Sequence, residues 1–214
     1  PACDSLPEKF ETALIEFEDR RFYQHGGVSL ISLSRALLQN IRNGRVVSGG
    51  STISMQVIRL SRGGDRNLWT KLVECFMATR LEARYSKDEI LRMYASYAPF
   101  GGNVVGIDAA LWRYLGSDEC EMSWAEAATL AVLQNAPSVI TPSKNRDVLL
   151  AKRNRLLARL YEGGHMTEDE CALAMDEPLI DQPYAMPQHA PHLVEWHNKH
   201  NHGEKVRTHI DLDL

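Results

Sequence analysis

The sequence predicts a mainly α-helical fold, and three observations carry that prediction. Capping-box patterns recur at Ser86 to Glu89, Ser123 to Glu126 and Thr167 to Glu170, each before an apolar run at helical spacing. Glycines and prolines (Gly101, Gly106, Gly116, Pro137, Pro142) fall between these runs and punctuate them. Period-two alternation, the mark of half-buried strands, is scarce before residue 178.

The elements follow in chain order. An apolar stripe, Phe10, Leu14 and Phe17, runs into the adjacent carboxylates Glu18 and Asp19, which sit among aromatic, basic and histidine side chains. Such a stripe offers a carboxylate a partly dry place, where its pKa rises and it can move a proton. Residues 26–64 contain no Asp or Glu but carry Arg35, Arg42, Arg45, Arg59 and Arg62, interleaved with residues such as Leu30, Ile31, Leu38 and Ile41. Basic plus apolar without acid reads as a segment lying in the interface of an anionic membrane. A helix packed on the core with its arginines in water is the alternative. Gly49-Gly50 lets the backbone turn tightly, and Ser51 or Thr52 then caps a helix from Ile53, whose free N–H groups either attract phosphate or simply end a loop. No Gly-Lys-Ser/Thr follows, so this is not a Walker A loop.

Lys71 and Glu74 are three apart and share a helix face. They form either a surface ion pair or, with Arg59, Arg62 and Arg66, a cationic wall for a pyrophosphate, Glu74 holding a metal or orienting the lysine. The helix from Lys87 carries Ile90, Leu91 and Tyr94, and the small-residue run Ala127 to Leu133 reads as a central core helix. A later helical stretch places Arg153 and Arg155 either on the cationic wall or in water.

From Glu177 onward the helical period fades and prolines recur; six of the eight histidines fall between His189 and His209, and residues 205–214 alternate like a short strand. Residues 1–177 therefore read as one domain, and 178–214 as a linker and the opening of a truncated second one. The spacing of His197, His200 and His202 fits a solvated segment better than a metal site.

Composition bounds the function. A chain of 214 residues with 44% hydrophobic and 24% charged residues buries a sizeable core. A net charge of −4 gives no reason to expect nucleic acid. No apolar run approaches the roughly 18 residues that span a bilayer, and no signal peptide opens the chain. An exported natural protein would have its leader or anchor outside this sequence. Cys3, Cys75, Cys120 and Cys171 are too widely spaced for a metal site; Cys75 reads as a small buried residue, and no disulfide pairing is decided.

Taken in order, five motifs resemble a known family. They are Glu18 to Gly27 (Glu-Asp-x-x-Phe-x-x-His-x-Gly), Gly49 to Gln56 (Gly-Gly-Ser-Thr-Ile-x-x-Gln) and Lys71 to Glu74 (Lys-x-x-Glu). Lys87 to Tyr94 (Lys-x-x-Ile-Leu-x-x-Tyr) and Arg153 to Leu157 (Arg-Asn-x-x-Leu) follow. Together they resemble the peptidoglycan glycosyltransferase domain, family 51, of class A penicillin-binding proteins, over about residues 10–177. Met55, Thr70 and Ser96 stand where that family usually has Gln, Arg and Asn.

The resemblance implies a lysozyme-like large lobe and a smaller membrane-proximal lobe. It implies polymerisation of lipid II, a polyprenyl-pyrophosphate-linked disaccharide-peptide, into glycan strands with inversion at the anomeric carbon. Glu18 then falls on the catalytic base and Glu74 on the second essential glutamate. Asp19, Ser51, Gln56, Arg59, Lys71, Lys87, Tyr94 and Arg153 fall where the substrate is contacted or the donor side is shaped. Mg²⁺ or Mn²⁺ is the cofactor the resemblance allows, with Glu74 as its ligand. The implied partners are lipid II, the growing glycan strand, the membrane surface and other cell-wall synthesis proteins. The implied location is the outer face of a bacterial inner membrane, with an N-terminal transmembrane anchor missing here. Membrane-linked substrates favour the membrane-facing reading of residues 26–64. A muramidase-type hydrolase, using a glutamate as general acid without a pyrophosphate wall, is the nearest rival; a non-catalytic scaffold is the other.

Overall fold

The computed structural model describes residues 6–44, 49–63, 67–101, 103–116, 121–135, 145–180, 183–185 and 190–200. The expected strand at 205–214, Cys3, Cys120, Arg45, Arg66, Pro137, Pro142 and His202 lie outside them. Helices dominate, as the capping patterns predict: α1 (Glu8–Glu18), α2 (Leu30–Asn43), α3 (Ile53–Arg62), α4 (Leu68–Glu82), α5 (Lys87–Tyr97), α6 (Ile107–Leu115), α7 (Trp124–Leu133), α8 (Arg146–Glu162), α9 (Glu168–Asp176) and α10 (Pro191–His200). A 3-10 turn covers Phe22–Gln24. All three capping boxes form, with Ser86, Ser123 and Thr167 each accepting a backbone N–H and the glutamate three residues on reaching back. Of the two candidates for the α3 cap, Thr52 takes the role and accepts from the Met55 N–H.

Hydrophobic burial is in two parts of unequal size. The larger cluster is built around α7, where Ala125 and every residue from Ala127 to Leu133 are buried. Small side chains on α7 let α1, α8 and α9 pack against it. Phe10 and Leu14 of α1, the stripe seen in the sequence, are fully buried there. The smaller cluster is Met55, Ile58 and Ala78, where α3 meets α4. Met55 is thus a core residue, with no polar task for the glutamine that the family usually has there.

Two features differ from expectation. Two short antiparallel strands pair, β1 (Pro99–Gly101) and β2 (Val104–Val105), and Phe100 packs into the large cluster. The first compact unit also extends through Tyr184, because arginines hold the chain after α9. Arg146 donates to the carbonyls of Leu179 and Ile180, and the Tyr184 N–H donates to Arg113 O at 2.7 Å. The second unit, 185–214, contains α10, which the fading helical period did not predict. A Lys199–Glu195 pair and the stacking of Trp196 on His200, centroids 4.4 Å apart, support that helix.

Candidate active site

Glu18 is the last residue of α1, and the chain turns away at Asp19. That places its carboxylate at the negative end of a helix, over a floor of buried Phe10 and Leu14. It opens into a cleft of about 1270 Å³. Its two oxygens differ. Oε2 accepts the Gln56 side-chain N–H at 2.8 Å, whereas Oε1 is buried and meets no hydrogen-bond partner of good geometry among the described residues. Burial pushes the Glu18 pKa above the ordinary carboxylate value; hydrogen bonding from Gln56 and then Asn135 works against this, the neighbouring Asp19 charge adds to it and the Lys152 charge lowers it.

Gln56 is oriented from its other side. The Tyr94 hydroxyl donates to Gln56 Oε1 at 3.2 Å, which turns the amide NH₂ toward Glu18. Burial holds the Tyr94 phenol well above its usual pKa, so it remains a donor. Asp19 lies behind Glu18, buried, its Oδ2 accepting from His25 Nε2 at 2.9 Å and from the Ile53 N–H at 3.2 Å.

One turn along α3 from Gln56, Arg59 reaches the other candidate glutamate. Arg59 Nε and one terminal nitrogen each bind Glu74 at 2.8 Å, a two-pronged pair. The bond to Glu74 raises the Arg59 pKa further, so the guanidinium stays charged. The Ser51 hydroxyl oxygen accepts from both Arg59 at 3.1 Å and Lys71 Nζ at 2.8 Å. A hydroxyl has two acceptor sites and one proton. With both acceptor sites used, the Ser51 hydroxyl still has its proton to donate. Ser51, Arg59, Lys71 and Glu74 line an adjoining hollow of about 190 Å³, which shares Gly49, Ser51 and Arg59 with the main cleft. Both candidate glutamates therefore border one continuous groove.

Gly27 shows why the first motif needs its last glycine. Its φ is +98°, and an added Cβ would stand 2.6 Å from the Ala78 backbone of α4. Its carbonyl also accepts the Thr52 hydroxyl at 2.6 Å, which pins the first motif to the second.

Two expected site residues are placed elsewhere. Arg153 is 1% exposed and away from the cleft lining. Its guanidinium donates to the carbonyls of Glu177 at 2.7 Å and Met175 at 3.0 Å, so it clamps the end of α9 to α8 and forms no part of a pyrophosphate wall. Lys87 is also outside the lining: it binds Glu82 at 2.7 Å and the His25 carbonyl at 2.7 Å, and stands 4.3 Å from the Phe22 ring centroid. It braces the first motif from behind. Arg155 is exposed and is not among the cleft-lining residues.

Other lining residues were not expected. Arg20, Arg21, Arg35 and Arg159 join Arg59 in the main cleft, five arginines against the carboxylates Glu18 and Asp19. Gln134 is there too, 6% exposed with neither side-chain polar atom hydrogen-bonded. Arg20 and Arg159 both pair with Glu16 of α1; Arg20 is four residues away, whereas the Arg159 contact is long-range and no sequence spacing signals it.

Glu74 does not fit as the ligand of a divalent cation. Both its oxygens are engaged by Arg59, Lys71 shares its hollow, and among the described residues no three His, Cys, Asp or Glu side chains converge. Cys75 and Cys171 are free thiols.

The transglycosylase family model matches residues 1–161, three quarters of the chain. The chain belongs to the transglycosylase family. Among curated relatives, this transglycosylase domain is similar to penicillin-binding protein 1C of Escherichia coli, 38% identical over 211 residues, covering 99% of this chain and 27% of that one. It is also similar to penicillin-binding protein 1A of Aquifex aeolicus, 32% identical over 99% of this chain and 31% of that one. The domain thus spans about a quarter to a third of the length of these relatives. A crystal structure of penicillin-binding protein 1A from Haemophilus influenzae aligns with 72% of this chain and 20% of that one, at 20% identity and TM-score 0.43.

Proposed function

We propose that this transglycosylase domain polymerises a polyprenyl-pyrophosphate-linked disaccharide-peptide into glycan strands, with Glu18 as proton acceptor. The carrying observation is the Glu18 carboxylate set in an arginine-lined cleft, with Oε2 held by the Gln56 amide. In the reaction an acceptor sugar hydroxyl attacks the anomeric carbon of the donor. The bond from that carbon to the pyrophosphate oxygen breaks, the pyrophosphate leaves with its electron pair, and configuration inverts. The Glu18 carboxylate takes the hydroxyl proton; general-base catalysis of this kind contributes about 10²–10⁴-fold. Charge grows on the leaving pyrophosphate, where Arg59, Lys71 and the Ser51 hydroxyl are already in place, at little reorganisation cost. Glu74 serves by fixing the Arg59 fork rather than by touching sugar.

The same proposal has a membrane side. Leu30, Ile31, Leu38 and Ile41 lie along one side of α2, and Trp69, Leu72 and Phe76 along one side of α4; each is more than half exposed. Exposed apolar stripes beside Arg35 and Arg42 suit an anionic bilayer surface. Such a surface, at the outer face of a bacterial inner membrane, is where lipid-linked substrates reside. No helix among the described residues is long and apolar enough to cross a membrane. The small cluster near α3 and α4 would belong to the membrane-proximal lobe, and the α7-centred cluster to the lysozyme-like lobe.

Supplying lipid-linked disaccharide in one assay and finished glycan in another tests this reading. Polymer growth with release of polyprenyl pyrophosphate is expected from the first. Cleavage of finished glycan, with no product from the lipid-linked substrate, would favour the hydrolase instead.

A further inference from the structure

We propose that Glu82 is a positioning residue for glycosyl transfer, fixing from behind the cleft wall the turn of α3 that sets Gln56 against Glu18. The inference rests on the reading of Glu18 as proton acceptor. Glu82 is the last residue of α4; its side chain is 7% exposed, and it does not line the cleft. Three elements converge on its carboxylate. Oε1 accepts the hydroxyl of Ser54, in the first turn of α3. Oε2 binds Lys87 Nζ, at the start of α5, at 2.7 Å. His25 Nδ1 stands 3.7 Å from Oε1.

His25 continues the network toward the cleft. The Gly27 N–H donates to Nδ1 at 3.2 Å, which leaves Nε2 as the nitrogen that donates to Asp19 Oδ2. The same Asp19 oxygen accepts the Ile53 N–H. The first turn of α3 is thus gripped at two successive residues, Ile53 by Asp19 and Ser54 by Glu82. Gln56 is two residues further on and reaches Glu18 Oε2. A carboxylate buried away from the cleft is costly unless paired and hydrogen-bonded. Here Lys87 supplies the charge and Ser54 the hydrogen bond, so the carboxylate is held in one position by α3 and α5 together.

Loss of the grip has a consequence that a purely structural role lacks. The Gln56 bond pulls the Glu18 pKa down against burial. The other charged or titratable groups facing Glu18 are Asp19 beside it, Arg59 on α3, Tyr94 on α5 and Lys152 on α8. Replacing Glu82 leaves all of them in place and loosens only the approach of Gln56. The acid limb of the rate profile then moves to higher pH.

The test is the pH–rate profile for polymerisation of lipid-linked disaccharide by the full chain, with melting temperatures measured in parallel. Wild type is compared with Glu82→Gln, Ser54→Ala, Gln56→Ala and Glu18→Gln. Glu82→Gln and Ser54→Ala are expected to lower kcat about tenfold to a hundredfold with KM within about twofold, the scale set by small misplacements near reacting groups. Both should shift the acid limb upward, as Gln56→Ala does, and their effects should combine less than additively. If Glu82→Gln does not fold, Ser54→Ala carries the same expectation alone. Unchanged kcat and an unchanged acid limb in folded variants, beside an inactive Glu18→Gln, would overturn the positioning role and leave the base assignment standing. An active Glu18→Gln would overturn both.

Discussion

Glu18 is held in tension: burial and the neighbouring Asp19 charge disfavour its charge, while Gln56, Asn135 and Lys152 support it. The sign for stability follows. The unfolded chain titrates this group near the ordinary value and the folded chain above it. Between those values the folded state binds more protons, so stability falls as pH rises through that window. Glu18→Gln removes the penalty; its melting temperature should exceed wild type at neutral pH, with a gain that shrinks as pH falls through that window and is gone below the ordinary carboxylate value. Thermal melts at pH 7 and pH 4 check this. Arg153 gives the opposite pattern. Arg153→Met leaves the carbonyls of Met175 and Glu177 without their donor, at roughly 2–5 kcal/mol together. Denaturant unfolding should show that loss, while turnover per folded molecule stays near wild type. The sequence made Glu18 legible, because Phe10, Leu14 and Phe17 repeat at helical spacing beneath it. It misled at Arg153, since an arginine amid lysine, asparagine and arginine reads as solvated or ligand-facing. Only the folded chain brings the end of α9 over it. Glu82 gave no signal, because Ser54 and His25 are 28 and 57 residues away in sequence.

Helices were legible at their starts, where capping is local chemistry: Ser86, Ser123 and Thr167 each cap the helix they precede. The β1–β2 strand pair was not, because three residues facing two are too short for alternation to show. Its order comes from tertiary contacts, including the Tyr114 hydroxyl on the Phe100 carbonyl at 2.9 Å. The apolar faces of α2 and α4 make an element-scale prediction. Leu38→Asp with Ile41→Asp on α2, or Trp69→Asp with Leu72→Asp on α4, should reduce co-sedimentation with anionic vesicles at least several-fold. Near-normal circular dichroism is expected, since these side chains pack on nothing in the core. Binding by wild type should also weaken with salt, as the Arg35 and Arg42 contribution is screened. Unchanged vesicle binding in both double variants would remove these faces from the membrane role.

At the scale of the first compact unit, the groove has Glu18 at the end of α1 and the Arg59–Glu74 pair across α3 and α4 along its lining. Five motifs far apart in the chain contribute to this frame, but in different ways. The first three line the groove. Tyr94 of the fourth orients Gln56 while Lys87 braces from behind, and Arg153 of the fifth closes the end of α9. Motif order was visible in the sequence, whereas the split between lining and bracing depends on burial, which spacing does not report. The most direct test is single-turnover transfer from a lipid-linked disaccharide donor, comparing wild type with Glu18→Gln at matched folded concentration. A loss of about 10²–10⁴-fold, with substrate binding retained, is expected if the Glu18 carboxylate takes the acceptor proton; transfer at the wild-type rate would contradict it.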